Sequence, residues 1–173
     1  MIVLNREEIK KLILEEGLIQ GYTDLDIQLT PNGFDFTVEK IFKFKGEGAV
    51  AFSNTERVLP STEEVSFVEP IFSDRRAWWW LPKGIYKVRT NEVVNLPMNL
   101  IALAFPRSSL LRMGVYAHNA VWDAGFKGRS EFVLVVGNSH GVKIKQNARL
   151  IQVIFVRVNK PSYGYQGIYQ NYK

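Results

Sequence analysis

The sequence predicts an all-β domain, a barrel or jelly roll with one short N-terminal helix, and three observations carry the prediction. After Leu18 the hydrophobic periodicity changes from helical to an alternation of two. The apolar runs that follow are short and are punctuated throughout by Gly, Pro and Asn. No alternation of strand, long helix and strand recurs, which argues against a parallel sheet with crossover helices. At 173 residues and 46% hydrophobic content, the chain is large enough for one well-buried domain.

The helix is expected over residues 5–16. Asn5 is a suitable N-cap, Glu7 and Glu8 occupy the first turn, and Gly17 ends it. Ile9, Leu12 and Ile13 recur at helical spacing, so this face packs on the rest of the domain. Asp26 to Leu29 alternates, Pro31-Asn32-Gly33 makes a turn, and Phe34 to Val38 alternates again. Further strands are expected at residues 41–44, 49–52, 64–67, 84–88 and 100–105, then at 115–117, 131–136, 142–144 and 150–158. Residues 1–160 thus form a single β domain. The remainder, 161–173, is rich in Gly, Gln and Tyr without a core pattern and reads as a mobile C-terminal arm.

Composition excludes several classes of function. Without cysteine there are no disulfides and no thiolate metal sites, and only His118 and His140 offer imidazole, so a zinc enzyme is not expected. No apolar run is long enough to span a membrane, and the N-terminus lacks the pattern of a signal peptide, so a cytoplasmic protein is expected. The formal charge of +5 suits an anionic ligand such as a nucleotide, and equally suits solubility. Its basic residues are scattered, which argues against a dedicated nucleic-acid binder. In Trp78-Trp79-Trp80, strand alternation sends the middle indole opposite to its neighbours. That triplet reads as an interface or a packed sheet edge before it reads as a base-stacking platform.

The stretch from Phe105 to Asn138 looks like a site. Arg107, Ser108 and Ser109 offer donors suited to phosphate oxygens. Asp123, flanked by Trp122 and Gly125, is a carboxylate that a ligand can approach closely and that can polarise a water. Asp35, after Asn32-Gly33, is a second carboxylate able to hold a hydrated Mg²⁺ against phosphate. The alternative is that both aspartates are turn residues bonding their own backbone. Gln152 lies inside an apolar strand and either finds a partner or faces solvent. His118, inside this stretch, reads as a structural histidine.

Four ordered segments resemble the motifs of the dUTPase and dCTP deaminase superfamily. PNGFDF (31–36) is similar to the first motif and FPRSSLLRMG (105–114) to the phosphate-binding second. NAVWDAGFKG (119–128) resembles the pyrimidine-binding hairpin, and NARLIQVIF (147–155) the fourth motif with its Gln. The resemblance implies a distorted β jelly roll that forms a homotrimer with active sites shared between subunits. Asp123 would activate the water that attacks the α-phosphorus of dUTP, giving dUMP and pyrophosphate. Arg107 and Ser108 would bind phosphates, with Ser109 beside them, and Gln152 would reach the phosphates from a neighbouring subunit. Asp35 would order the Mg²⁺ triphosphate through water. Backbone groups of Asn119, Ala120 and Val121 would pair with the uracil edge, and Phe126 would pack on the deoxyribose. The usual glycine-rich fifth motif is absent. The tail, with Tyr165, Gln166 and Gln170, resembles that of archaeal and deaminase-like members and is expected to close over the nucleotide.

The alternatives are a dCTP deaminase, alone or bifunctional with dUTP hydrolysis, and a nucleotide-binding regulator without turnover. Deaminases carry a Glu ten positions beyond the motif Asp, and here that position is Val133. Glu131 lies on the same face of an extended strand but roughly 6.6 Å away, at about 3.3 Å per residue. Unless a bulge re-registers the strand, it cannot take that role.

Overall fold

The computed structural model describes residues 2–68 and 77–172. Its strands β1 (Ile2–Val3), β2 (Ile19–Gln20), β3 (Leu29–Thr30), β4 (Gly33–Lys45) and β5 (Ser61–Glu64) come first. Helices α1 (Arg6–Glu16) and α2 (Leu25–Gln28) are interspersed among them. Then come β6 (Trp78–Leu81), β7 (Gly84–Asn95), β8 (Leu100–Pro106), helix α3 (Ser108–Arg112) and β9 (Val115–His118). The last strands are β10 (Lys127–Val136), β11 (Val142–Lys145) and β12 (Arg149–Arg157).

Strand β4 is the hub. Its first half pairs with β3 and β12, and its second half pairs with β5 and β7. The register shifts between Val38 and Lys40, so Glu39 is bulged out and the strand turns from one wall to the other. Beyond it, β12 carries β1 and β8, while β7 carries β2 and β10, and β10 carries β9. The curled sheet encloses a core that includes Phe34, Phe36, Val38, Ile41, Val88, Leu134 and Phe155. This agrees with the all-β expectation.

Helix α1 forms as its sequence dictates. Glu8 N–H donates to Asn5 Oδ1 at 2.9 Å, and Asn5 N–H donates to Glu8 Oε2 at 3.0 Å, a reciprocal capping box. Gly17 ends the helix at φ 67°, and Ile9 and Ile13 are buried against the sheet.

Four local expectations are corrected, the first being the strand expected at 64–67, which forms instead as β5 at Ser61–Glu64. The alternation at Asp26 to Leu29 is mostly the single helical turn α2, because Asp24 caps it by accepting from Ile27 N–H at 2.9 Å. Four alternating residues are too few to outweigh a cap. Residues 49–52 form no strand beyond one bridge from Ala49 to Val58, and Val50 and Phe52 point into solvent with no sheet neighbour to pair with. Among the described residues the one helix becomes three, since Leu25 to Gln28 winds into α2 and Ser108 to Arg112 into α3.

The tryptophan triplet alternates as expected. Trp79 is buried and its Nε1–H donates to Val65 C=O at 2.9 Å, whereas Trp80 is largely exposed. No helix among the described residues is long and apolar enough to cross a membrane.

Candidate active site

The hairpin between β9 and β10 is pinned from behind. Trp122 exchanges two backbone hydrogen bonds with Ala102, at 3.1 and 3.0 Å, and its indole N–H donates to Ser130 Oγ at 2.9 Å in the interior. The next residue, Asp123, is therefore held on a rigid base while its own side chain is exposed. Phe126 N–H donates to Asp123 C=O at 3.1 Å and closes the turn. Gly125 sits there at φ 79°, and a Cβ on it would lie 3.0 Å from Met98 Sδ and 3.1 Å from Gly164 Cα.

Asp123 borders a cavity of about 610 Å³. Ala120, Val121, Phe126 and Tyr165, all singled out in the sequence, also line it. Phe126 and Tyr165 pack edge to face with ring centroids 5.2 Å apart. The neighbouring Asn119 donates to Ala104 C=O at 3.4 Å, and its Oδ1 is buried without a partner.

A second cluster lies on the other wall. Asp35, in β4, is almost fully buried, and its Oδ2 faces Arg107 Nε at 3.0 Å and Arg149 Nη1 at 3.2 Å. Burial pushes the Asp35 carboxyl above its usual range, and the Arg107 and Arg149 charges oppose that shift. Arg149 Nη1 also donates to Ile27 C=O at 2.8 Å. Gln152 stands opposite Asp35 in the β12–β4 ladder, and its Nε2 donates to Thr30 Oγ1 at 2.8 Å, so it has found its partner. Ser108 and Ser109 are exposed at the start of α3, immediately after Arg107.

The structure thus brings the predicted residues together as two groups. Asp123, Ala120, Val121, Phe126 and Tyr165 form one, and Asp35, Arg107 and Gln152 form the other, with the two serines beside it. Gln170 belongs with the hairpin, where its Nε2 donates to Gly125 C=O at 3.0 Å and its Oε1 accepts from Lys127 N–H at 2.9 Å. Gln166 is exposed, and neither it nor His118 lines the cavity. Among the described residues no group of three or more His, Cys, Asp or Glu is placed to hold a metal ion. Asp35, already balanced by two guanidinium groups, is poorly suited to direct coordination.

Sequence reasoning missed Arg149 and Lys87. Arg149 stood in plain view inside NARLIQVIF, and the buried carboxylate it serves was the available signal. Lys87, which lines the cavity, carries no local signal at all. A register shift does occur in the β10–β7 ladder, between Arg129 and Glu131, but its extra residues lie on β7, and from Glu131 to Val136 the pairing is unbroken. Glu131 opposes Arg89 and Val133 opposes Lys87, so Glu131 stays two residues short of the Val133 position.

The family model for dCTP deaminase-like proteins matches residues 3–158. A protein of Archaeoglobus fulgidus named "Probable deoxyuridine 5'-triphosphate nucleotidohydrolase" is 47% identical over 170 residues, covering 98% of this chain and 96% of its own length. A Methanocaldococcus jannaschii protein named deoxyuridine 5'-triphosphate nucleotidohydrolase is 38% identical over 143 residues, covering 83% of this chain and 87% of its own. Among solved structures, the 2'-deoxycytidine 5'-triphosphate deaminase of Agrobacterium tumefaciens superposes with a TM-score of 0.63 at 21% identity. That match covers 91% of this chain but only 48% of the deaminase chain, and it speaks to the fold alone. A full-length pattern of strands, four ordered motifs and relatives at this identity lead to one conclusion: the chain belongs to the dCTP deaminase-like family.

Proposed function

We propose that this protein is a dUTP diphosphatase that converts dUTP to dUMP and pyrophosphate. The observation that carries the reading is Asp123, an exposed carboxylate on a pinned turn at the edge of a cavity large enough for a nucleoside. The relatives of highest identity quoted above bear the name of that activity. Asp123 serves as general base. It takes a proton from a water whose oxygen bonds to the α-phosphorus, and the bond to the β-phosphate bridging oxygen breaks, releasing pyrophosphate. Backbone groups of Asn119, Ala120 and Val121 meet the uracil edge, and Phe126 packs on the deoxyribose.

Mg²⁺ enters this reading as part of the substrate, bound to the triphosphate and lowering its charge. Arg107, Ser108, Ser109 and Gln152 supply phosphate donors. Asp35 orients Arg107 and would meet the metal only through water. Because these donors and the Asp123 cavity lie on different walls of one chain, a complete site is best made between copies, in a homotrimer. Tyr165, Gln166 and Gln170 belong to the arm beside the nucleotide. The cysteine-free composition suits the reducing cytoplasm, which is the proposed location.

Incubation with dUTP and dCTP separately, with Mg²⁺ and then with EDTA, tests the reading when pyrophosphate and ammonia are followed in parallel. Pyrophosphate from dUTP alone, abolished by EDTA, is the expected result. Ammonia from dCTP would overturn the assignment in favour of a deaminase, and nucleotide binding without either product would favour a regulator.

A further inference from the structure

The cavity wall carries a charged pair that the proposed chemistry does not use. Glu131 Oε1 lies 3.1 Å from Lys87 Nζ, and both side chains are about three-quarters shielded from solvent, at 23% and 22% exposure. The same carboxylate oxygen accepts a hydrogen bond from Tyr172 O–H at 3.1 Å. Tyr172 belongs to the C-terminal arm, so a strand residue of the cavity holds the far end of the chain.

The rest of the arm is laced along the active-site hairpin of its own chain. Tyr165 N–H donates to Ala124 C=O at 2.8 Å, Asn171 N–H to Lys127 C=O at 2.7 Å, and Arg129 N–H to Tyr172 C=O at 2.8 Å. Gly128 and Tyr172 form a parallel bridge, and a Cβ on Gly128 would come within 3.0 Å of Tyr169 C=O and 3.1 Å of Tyr172 N. Backbone hydrogen bonds of this kind hold a segment without regard to sequence and permit it to slip, and here the segment ends in a turn in which Gln170 N–H donates to Gly167 C=O at 3.1 Å and Tyr172 N–H to Tyr169 C=O at 3.2 Å. The side chains of Gln170 and Tyr172 supply what the backbone lacks, a choice of register.

We propose that Glu131, held in place by Lys87, anchors the C-terminal arm in cis on the hairpin, and that its bond to Tyr172 sets the register that places Tyr165 against Phe126 at the cavity. Glu131 is on this account a positioning residue. Its carboxylate accepts from both Lys87 and Tyr172, which gives it a task unrelated to proton transfer on a base. Burial raises the Tyr172 phenol above its ordinary range, and the Glu131 charge adds to that, with Arg89 opposing, so the phenol remains a donor at neutral pH. The link between arm register and nucleotide binding rests on the dUTP reading, whereas the docking of the arm does not.

Hydrogen–deuterium exchange of the full chain without nucleotide tests the docking directly. Tyr172→Phe deletes only the hydroxyl, and Glu131→Ala deletes its acceptor. Each is expected to speed exchange at the Tyr165 and Asn171 amides by about tenfold, the scale of one charge-assisted hydrogen bond, while α1 keeps its protection. The double variant should exchange no faster than Glu131→Ala alone, because both changes break one bond. Unchanged exchange in Tyr172→Phe, or effects of the two substitutions that multiply, would overturn the anchor. If the protein hydrolyses dUTP, Tyr172→Phe should raise KM severalfold with kcat nearly constant. An inactive protein whose arm still responds would count against the dUTP reading and leave the anchor standing.

Discussion

The chain offers two aspartates in motif-like settings, and the fold treats them in opposite ways. Asp123 stands on a turn fixed by Trp122 and Ser130, with its carboxylate open to water at the cavity. Asp35 is sunk into β4, and its carboxylate is consumed by Arg107 and Arg149. A general base has to meet both a water and the reacting atom, which only the first arrangement permits. A buried carboxylate bridging two guanidinium groups instead holds forked donors at a set angle, which is what phosphate binding requires. Solvent thus reaches the first carboxylate and is excluded from the second.

The sharpest way to break that contrast is Asp123→Asn. Its turnover of dUTP is expected to fall by about 10²–10⁴-fold, with a melting temperature close to that of the parent, because an exposed position carries little stability. Steady-state pyrophosphate release and thermal unfolding measure the two halves, and near-normal turnover would remove the base assignment. Asp35→Asn should show the reverse signature. Two guanidinium groups lose their shared anion, so denaturant unfolding is expected to report a loss of about 1–3 kcal/mol, accompanied by a raised KM. Equal stability with normal KM would mean that the buried cluster neither supports the fold nor orients phosphate donors.

A smaller effect extends the comparison to a third carboxylate, Glu92 on β7, which is fully buried. It accepts from Thr37 N–H at 2.9 Å, Thr37 O–H at 2.6 Å and Gln28 Nε2–H at 2.7 Å. Burial nonetheless dominates and pushes its carboxyl above the usual range. A raised native value means that the protonated form is favoured by folding. The contribution is therefore complete below the ordinary glutamate pKa and is lost as pH rises through the raised native value. Urea midpoints measured from pH 4 to 8 should show this decline in the parent chain and a shallower one in Glu92→Gln, which does not titrate. Gln is also expected to lower stability by about 1 kcal/mol at acidic pH, where its amide meets Thr37 or Gln28 donor to donor. Parallel pH profiles would show that Glu92 does not titrate differently in the native state.

Much of this was written locally. The cap at Asn5, the stop at Gly17 and the alternation of Phe34 to Val38 act over a few residues, so composition and spacing announce them. The same is true of the turn at Asp123 to Gly125, where a glycine with positive φ follows an exposed carboxylate. The failures at residues 26–29 and 49–52 came from short alternating runs, in which a cap or the lack of a neighbouring strand outweighs two or three apolar residues.

By itself, then, the sequence determined the β class, the helix at the N-terminus, the order of the four motifs and the identity of the residues available for chemistry. Only the tertiary structure decided which of them meet. Arg149 reaches Asp35 across 114 positions of chain, and Tyr172 reaches Glu131 across 41. Those pairings depend on the bulge at Glu39, on the register shift of β7 against β10 before Glu131, and on which edge of the hairpin the arm follows. Register is a sum over the whole sheet of hydrogen bonds and buried faces, and a one-residue slip turns every side chain to the opposite face. No window of neighbouring residues contains that sum.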